Sequence, residues 1–268
     1  MHAFARLTPP ALAKPRFRLF AAGQIVSIIG SWIQQVALSW LVFRLTQSVF
    51  LLGLTGFMLQ IPHLFITPLA GFVVDRLPRV RLLIAIYLVL SALALSLALL
   101  AATGAASIHV LLLIALLIGT ANACESPARQ ALLGAIVEER ALLPSAIGFN
   151  SVLFNTGRLI GPAIAGVLLL WLSEAWCFVI NGLSFFAVIA ALVALKLPAE
   201  RGRGISGPTL AGLGASVERL AQIPVARYLL PNASAVALFT LPLTQLMPSS
   251  TYPIRTQLRT LVMQALLD

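Results

Sequence analysis

Long runs of apolar residues dominate this 268-residue chain. A helix needs about 20 predominantly apolar residues to cross the hydrocarbon core of a bilayer. Six stretches have that length and predict transmembrane helices at about 19–43, 50–74, 82–102, 108–124, 144–172 and 175–197. A seventh stretch, 228–247, is weaker because prolines and polar amides interrupt it. The pattern predicts an all-α membrane protein, a six-helix transmembrane bundle with a partial seventh helix.

The same pattern divides the chain into four regions. Residues 1–18 are expected to form an amino-terminal tail before the bundle of residues 19–197. Residues 198–227 are rich in Arg, Gly, Ser and Pro, a composition typical of a linker. Residues 228–268 are expected to hold the partial seventh helix and a divergent tail.

The basic residues predict how the bundle is oriented. Lys and Arg are concentrated in the amino-terminal tail, in the second-to-third and fourth-to-fifth connections, and after the sixth span. The fourth-to-fifth connection is expected to include Arg129 and Arg140, whereas the opposite set of connections carries only Arg44. Because short cytoplasmic loops are enriched in Lys and Arg, both ends of the bundle are predicted to be cytoplasmic, in a plasma or inner membrane.

Composition argues against several other classes of protein. The chain is 60% hydrophobic and 10% charged, whereas about a quarter of the residues in a soluble domain are charged. The net charge of +10 lacks a basic helix or stacking aromatics, so nucleic-acid binding is not expected. Scattered histidines and cysteines predict no metal or other cofactor. No nucleotide-binding loop, nucleophile elbow or metalloprotease motif is present, so an enzyme is not expected.

Polar side chains recur at helical spacing within the first span, so one face of that helix is polar. They are Gln24, Ser27, Gln34 and Gln35. In lipid such a face is expected to turn inward, toward another helix or a water-filled cavity. Either hydrogen bonds between helices or a substrate path would explain it.

Arg158 lies about halfway along the fifth span. A guanidinium at that depth costs several kcal/mol unless it finds a partner or water, so we expect its side chain to point inward. One interpretation is a cavity residue that binds an anionic substrate or tunes a protonation site. The other is an arginine satisfied by helix-end carbonyls, by Glu125 or by Asn155.

The connection between the second and third spans combines a glycine, an acid and several arginines. Its residues are Gly71, Asp75, Arg76, Arg79 and Arg81. The glycine permits close helix approach, and the acid can join the arginines in a charge cluster. The pattern resembles motif A of the major facilitator superfamily, although Pro78 stands where that family has Gly and Val80 replaces a usual base.

Small residues recur through the fifth span. Gly148, Gly157, Gly161, Pro162 and Gly166 fit the spacing G-x8-G-x3-G-P-x2-G-G, with Ala165 in place of one glycine. Small residues permit tight helix contact, and a proline bends a helix. The spacing resembles motif C, which marks fifth helices of superfamily exporters that exchange substrate for protons.

Two further elements, a P-A-R-Q run at 127–130 and an N-S…N…R-x-x-G-P stretch at 150–162, resemble the branch with the enterobactin exporter and macrolide efflux proteins. The resemblance covers about residues 15–245. It implies a secondary active transporter that performs proton-coupled efflux of a drug or siderophore. Its partners would be the lipid bilayer, protons and the small-molecule substrate.

The resemblance also suggests roles for particular residues. A substrate or proton pathway is expected to include Gln34, Gln35, Asn155 and Arg158. Glu125 is expected to pair with Arg79 or Arg81, completing a motif A charge cluster that locks one conformation. The motif C positions are expected to bend the fifth helix.

Superfamily transporters have twelve helices in two six-helix bundles, and this sequence predicts one bundle and at most one further helix. Two alternatives to efflux by this chain alone therefore stay open. One is a truncated, non-transporting membrane remnant. The other is a half-transporter subunit that needs a second half-chain, and the presence of such a chain would distinguish the two.

Overall fold

The computed structural model describes residues 9–137 and 139–195; within 68–76 it describes the side chains of Ala70 and Val74 alone. The predicted linker and partial seventh helix lie outside the described residues, as do residues 1–8. The described helices are α1 (Pro15–Thr46), α2 (Val49–Arg76), α3 (Arg79–Thr103), α4 (Ile108–Val137), α5 (Leu143–Trp171) and α6 (Glu174–Ala194), with short 3-10 helices at Pro10–Ala13 and Arg140–Leu142.

These six helices are long and apolar enough to cross a membrane. The prediction of an all-α, six-helix transmembrane bundle is therefore confirmed, and the protein is a multi-pass membrane protein. Leu, Val and Phe predominate among the large apolar side chains that remain exposed, as a lipid-facing surface requires.

The connections between the helices are short and locally determined. Pro15 opens α1, where its missing N–H needs no partner. Gln47 ends that helix in the left-handed conformation, with φ of 49°. Gly104 ends α3 in the same region, with φ of 71°, which a glycine adopts without steric cost. Each short connection reverses the chain into the next span.

The fourth helix is longer than the apolar pattern predicts. The predicted span stops at residue 124, but α4 continues to Val137 with Pro127 inside it. The charged residues that follow the apolar run are paired inside the bundle, so they do not end the helix. Arg129 therefore belongs to the membrane bundle, and its assignment to a connecting loop is wrong.

The helices pack in an order that differs from their order along the chain. The most extensive contacts join α2 to α4, α1 to α6, and α3 to α6, followed by α1 to α5. Consecutive helices α2 and α3, and likewise α5 and α6, touch only slightly. Neighbours in space therefore follow the order α2, α4, α3, α6, α1, α5, with smaller contacts from α1 to α2 and α4 and from α4 to α5.

Glycines allow the closest of these crossings. A Cβ added at Gly119 of α4 would lie 2.4 Å from the carbonyl oxygen of Leu59 in α2. A Cβ at Gly30 of α1 would lie 2.5 Å from Oγ of Ser184 in α6. Both distances are below van der Waals contact, so these crossings require glycine as packed.

An ion pair between Arg44 Nε and Glu174 Oε1, at 3.0 Å, joins the end of α1 to the start of α6.

Candidate functional site

Side chains of all six helices line one cavity inside the bundle. Its volume is about 340 Å³. Among its lining residues are Gln35 from α1, Gln60 from α2, Tyr87 from α3, Glu125 from α4, Phe154 from α5 and Asn181 from α6. Amide, charged and aromatic groups are thus combined in one wall, which suits a ligand with both polar and apolar parts.

A buried ion pair lies in this wall. Nε of Arg129 donates to Oε1 of Glu125, one helical turn earlier on α4, at 2.8 Å. Arg129 is 6% exposed and Glu125 is 9% exposed. The hydroxyl of Tyr87 on α3 donates to the same carboxylate oxygen at 2.7 Å. Two donors therefore meet at one oxygen and fix the orientation of the carboxylate.

The hydrogen bonds continue from this pair to two further helices. The hydroxyl of Tyr87 accepts a hydrogen bond from Nε2 of Gln24 on α1 at 3.0 Å. Nη1 of Arg129 donates to Oδ1 of Asn150 on α5 at 3.0 Å. The ion-pair network, as we call it, consists of Gln24, Tyr87, Glu125, Arg129 and Asn150.

An aromatic ring completes the environment of the arginine. Cζ of Arg129 lies 4.2 Å from the centroid of the Phe154 ring, the geometry of a cation–π contact. Arg129 is thus held by a carboxylate on its own helix and by an amide and a ring on α5. Its position depends on how α4 and α5 are arranged.

Gln34 and Asn181, which also line the cavity, belong to a second, uncharged cluster. Nδ2 of Asn181 on α6 donates to Oε1 of Gln34 on α1 at 2.8 Å. The hydroxyl of Ser184 donates to Oδ1 of Asn181 at 3.1 Å. Gln34, Asn181 and Ser184 form the amide cluster, which ties α1 to α6 without any charge.

His63 of α2 also lines the cavity. Its Nδ1 is buried and has no hydrogen-bond partner among the described residues. Buried polar atoms without a partner are uncommon in native proteins. This nitrogen is therefore available to a ligand atom or to water in the cavity.

One protein-family model, described as transmembrane secretion effector, matches residues 6–248. The match spans most of the chain. The chain belongs to this major facilitator family. Family membership agrees with the superfamily resemblance of the two motifs.

Relatives of this family member carry transport and efflux names. The chain is 32% identical over 181 residues to the staphyloferrin A transporter of Staphylococcus aureus, covering 67% of this chain and 45% of that protein. It is 26% identical over 155 residues to macrolide efflux protein A of Streptococcus pyogenes, covering 58% and 38%. The matched region therefore spans less than half the length of either relative.

Only some of the residues predicted to form a substrate or proton pathway in this protein lie together in the structure. Gln34 and Gln35 line the cavity, so the predicted inward turn of the polar face of α1 is confirmed. Their role in a pathway stays a prediction. Asn155 and Arg158 are not among the lining residues.

The prediction that Arg158 points into the bundle is wrong for the described residues. Arg158 and Asn155 are both exposed on α5, and Nδ2 of Asn155 donates to the carbonyl of Ser151 on its own helix at 2.8 Å. With 3.6 residues per turn, the face of α5 that carries Asn150, Phe154 and Gly157 turns inward. Arg158 falls on a different face.

The partners of Glu125 also differ from the expectation. Among the described residues its hydrogen-bond partners are Arg129 and Tyr87, instead of the expected Arg79 or Arg81. The reason is that α4 continues well past Glu125, which places the carboxylate inside the bundle instead of at a helix end. The side chains of Gly71, Asp75 and Arg76 lie outside the described ones, so a motif A cluster stays a prediction.

The motif C glycines fall on two faces of α5. A Cβ at Gly157 would lie 2.3 Å from Cγ2 of Ile28, and one at Gly161 would lie 2.3 Å from Cβ of Trp32, both on α1. A Cβ at Gly148 or Gly166 would meet nothing within 4 Å. Two of the four glycines therefore set the α1–α5 crossing, and Pro162 lies within the helix between them and Gly166. Bending of α5 by Pro162 stays a prediction.

Among the residues of the site that sequence reasoning missed are Tyr87, Arg129 and Asn181. Arg129 was placed in a loop because the apolar run ends before it. The spacing of Glu125 and Arg129, four residues apart and hence on one helix face, is the signal that would have kept both on the helix. Tyr87 and Asn181 lie in predominantly apolar spans, where a polar side chain is itself a sign of an internal partner.

Proposed function

We propose that this protein is a proton-coupled exporter of a small amphipathic molecule such as a drug or a siderophore. The observation that carries the proposal is the Glu125–Arg129 pair in the wall of a cavity lined by all six helices. The names of the two relatives support transport, and the name of the second supports efflux. Alternating access to a site near the middle of the membrane is the mechanism that such bundles serve.

Glu125 is the group that we assign to proton exchange. A proton on this carboxylate removes its charge and the ionic attraction to Arg129. Arg129 then keeps Asn150 and the Phe154 ring as partners, both on α5. Proton binding would therefore leave the guanidinium without its ionic partner on α4 while its contacts with α5 persist, which links proton binding to the arrangement of α4 and α5.

The orientation of the chain is part of the proposal. The positive-inside pattern supports cytoplasmic helix ends at the start of α1 and the end of α6, in the cell membrane. In that orientation a proton gradient directed inward drives the substrate outward.

The test is dye exchange in proteoliposomes that contain the full chain alone. Vesicles are made acidic inside, ethidium is added outside, and its gradient-dependent uptake is followed by fluorescence. We expect uptake with the unaltered protein and none after Glu125→Gln. Glu139→Gln is the matched control, because Glu139 is an exposed acid that pairs with Lys14 near the start of α5. Equal uptake by Glu125→Gln and the unaltered protein would refute the assignment.

A half-transporter subunit is the second candidate, and the exposed face of α5 favours it. Ser151, Asn155 and Arg158 are exposed there, one turn after another. An arginine at mid-span needs protein or water as cover. Under this candidate, Arg158→Ala abolishes dye uptake but leaves dye binding in detergent unchanged. If the chain transports without a partner bound to this face, the Arg158→Ala variant retains dye uptake.

A further inference from the structure

Trp32 of α1 occupies a distinctive place in the cavity wall. Its ring lines the cavity, while its Cβ and Cγ rest on the backbone of α5. A Cβ built at Gly161 would lie 2.3 Å from Cβ and 3.2 Å from Cγ of Trp32. The indole therefore has helix backbone directly behind it and the cavity in front.

A second glycine supports the same side of the wall. A Cβ at Gly157, one turn earlier on α5, would lie 2.3 Å from Cγ2 of Ile28 and 3.3 Å from Cδ1 of Trp32. Ile28 lines the cavity too and lies one turn before Trp32 on α1. The two apolar side chains thus occupy the space that the missing side chains of Gly157 and Gly161 leave.

A glycine contact also lies beside another part of the wall. Leu59 and Ile118 line that part, and the carbonyl of Leu59 lies against Gly119. Two closely packed helix pairs therefore bound the cavity: α1 side chains lie against the α5 backbone, and the α2 backbone lies against the α4 backbone. Within each pair the two helices are already as close as their glycines allow, so neither pair can pack more tightly to enlarge the cavity.

We propose that Trp32, held by Gly157 and Gly161, is the residue that determines the largest ligand the cavity accepts. The proposal rests on the proposed export function, since it specifies the size selectivity of that same cavity. A group added at Gly161 forces the indole toward the cavity, since the backbone of α5 lies behind it. Any shift of α5 along or away from α1 moves the ring with it.

The experiment measures binding and exchange of three planar monocationic dyes of increasing size: proflavine, ethidium and rhodamine 6G. Binding to the full chain in detergent is followed by fluorescence anisotropy, and exchange by the proteoliposome assay. We expect Gly161→Ala to weaken rhodamine 6G binding about tenfold relative to proflavine binding, the scale on which small steric changes discriminate in apolar pockets.

Gly166→Ala is the matched control, because it adds the same methyl group to the same helix where nothing lies within 4 Å. It should leave the ratio of the two dissociation constants unchanged. Trp32→Phe keeps the fold of α1 without the full indole, and we expect it to shift the ratio toward rhodamine 6G. The double variant Gly161→Ala with Trp32→Gly removes the contact at Cβ and should restore rhodamine 6G binding.

The outcomes separate the inference from the proposed function. Size-dependent binding without gradient-driven exchange would support the inference and refute export by this chain alone. Exchange whose dye preference is unaltered by both Gly161→Ala and Trp32→Phe would refute the inference and leave export intact. Absence of any dye binding by the unaltered chain would also overturn the inference.

Discussion

Arg129 and Arg158 are both arginines in helices long enough to cross a bilayer, but their surroundings differ completely. Arg129 is buried and bonded to Glu125 and Asn150, with Phe154 against its guanidinium. Arg158 is exposed on α5, outside the cavity. The comparison shows that depth along a span does not determine whether an arginine is buried; the helix face and the polar groups on neighbouring helices do.

The largest difference between the two arginines is expected in stability. Arg129→Ala leaves the buried Glu125 carboxylate without its ionic partner, which we expect to lower the free energy of unfolding by about 3–5 kcal/mol. Arg158→Ala is the comparison variant. Reversible unfolding by SDS in mixed micelles, followed by circular dichroism, measures both. An equal decrease in the free energy of unfolding for the two variants would mean that burial of Arg129 does not make it more important for stability than Arg158.

A double variant sharpens the same comparison. Glu125→Gln with Arg129→Gln replaces both charged groups by neutral amides, so no buried charge stays unpaired. We expect this variant to be more stable than Arg129→Ala by about 1–3 kcal/mol. The same unfolding assay measures it, and a double variant as unstable as Arg129→Ala would mean that the loss arises from packing of the guanidinium.

The next effect concerns the hydroxyl that supports the buried pair. Tyr87→Phe removes a donor from Oε1 of Glu125 and an acceptor from Nε2 of Gln24, so we expect a loss of about 1–3 kcal/mol. Ser96→Ala is the control, since that hydroxyl is exposed and bonds only to the carbonyl of Ala92. If the two losses match, Tyr87 is a packing residue and not part of the network.

An ion pair at the helix ends should matter less than the pair in the wall. Arg44 and Glu174 meet at 3.0 Å, but half of the Arg44 side chain is exposed. We therefore expect Arg44→Ala to cost about 0–1 kcal/mol, and the cost to fall at high salt because exposed charges are screened. Unfolding at low and high ionic strength measures both effects. A salt-independent loss would mean that Arg44 contributes through its alkyl chain.

The smallest effect is expected at Arg158 itself. Arg158→Ala should change the free energy of unfolding by no more than about 0.5 kcal/mol, as for other exposed sites. Ethidium binding in detergent should not change, because the side chain does not line the cavity. Anisotropy titration measures this, and weaker binding would return Arg158 to the substrate pathway.

The fold followed from the sequence more fully than the site did. Apolar runs of bilayer length identified six helices because lipid enforces helical backbone and apolar surface along every span. The polar face of α1 was also correctly oriented, since several amides at helical spacing have only the interior to face. Arg129 and Tyr87 could not be placed in the same way, because their importance depends on residues of other helices.

The motif C glycines show the same limit. Their spacing predicts close packing at each position. Gly157 does lie against α1, but an added Cβ at Gly148 would meet nothing within 4 Å. Which face of α5 meets α1 is decided by the packing of all six helices. The glycine pattern along one helix shows where close contact is possible, but it does not identify the helix that makes the contact.

The packing order of the helices has a consequence for biogenesis. A membrane protein enters the bilayer from its amino-terminal end, but α1 packs mainly against α5 and α6, and α2 against α4. Until α3 has been inserted, Gln24 of α1 lacks Tyr87, and until α6 has been inserted, Gln34 lacks Asn181, their hydrogen-bond partners. Unpaired amides in hydrocarbon are costly. We expect α1 to stay beside the insertion machinery during synthesis, and to enter lipid fully only when α6 has been made.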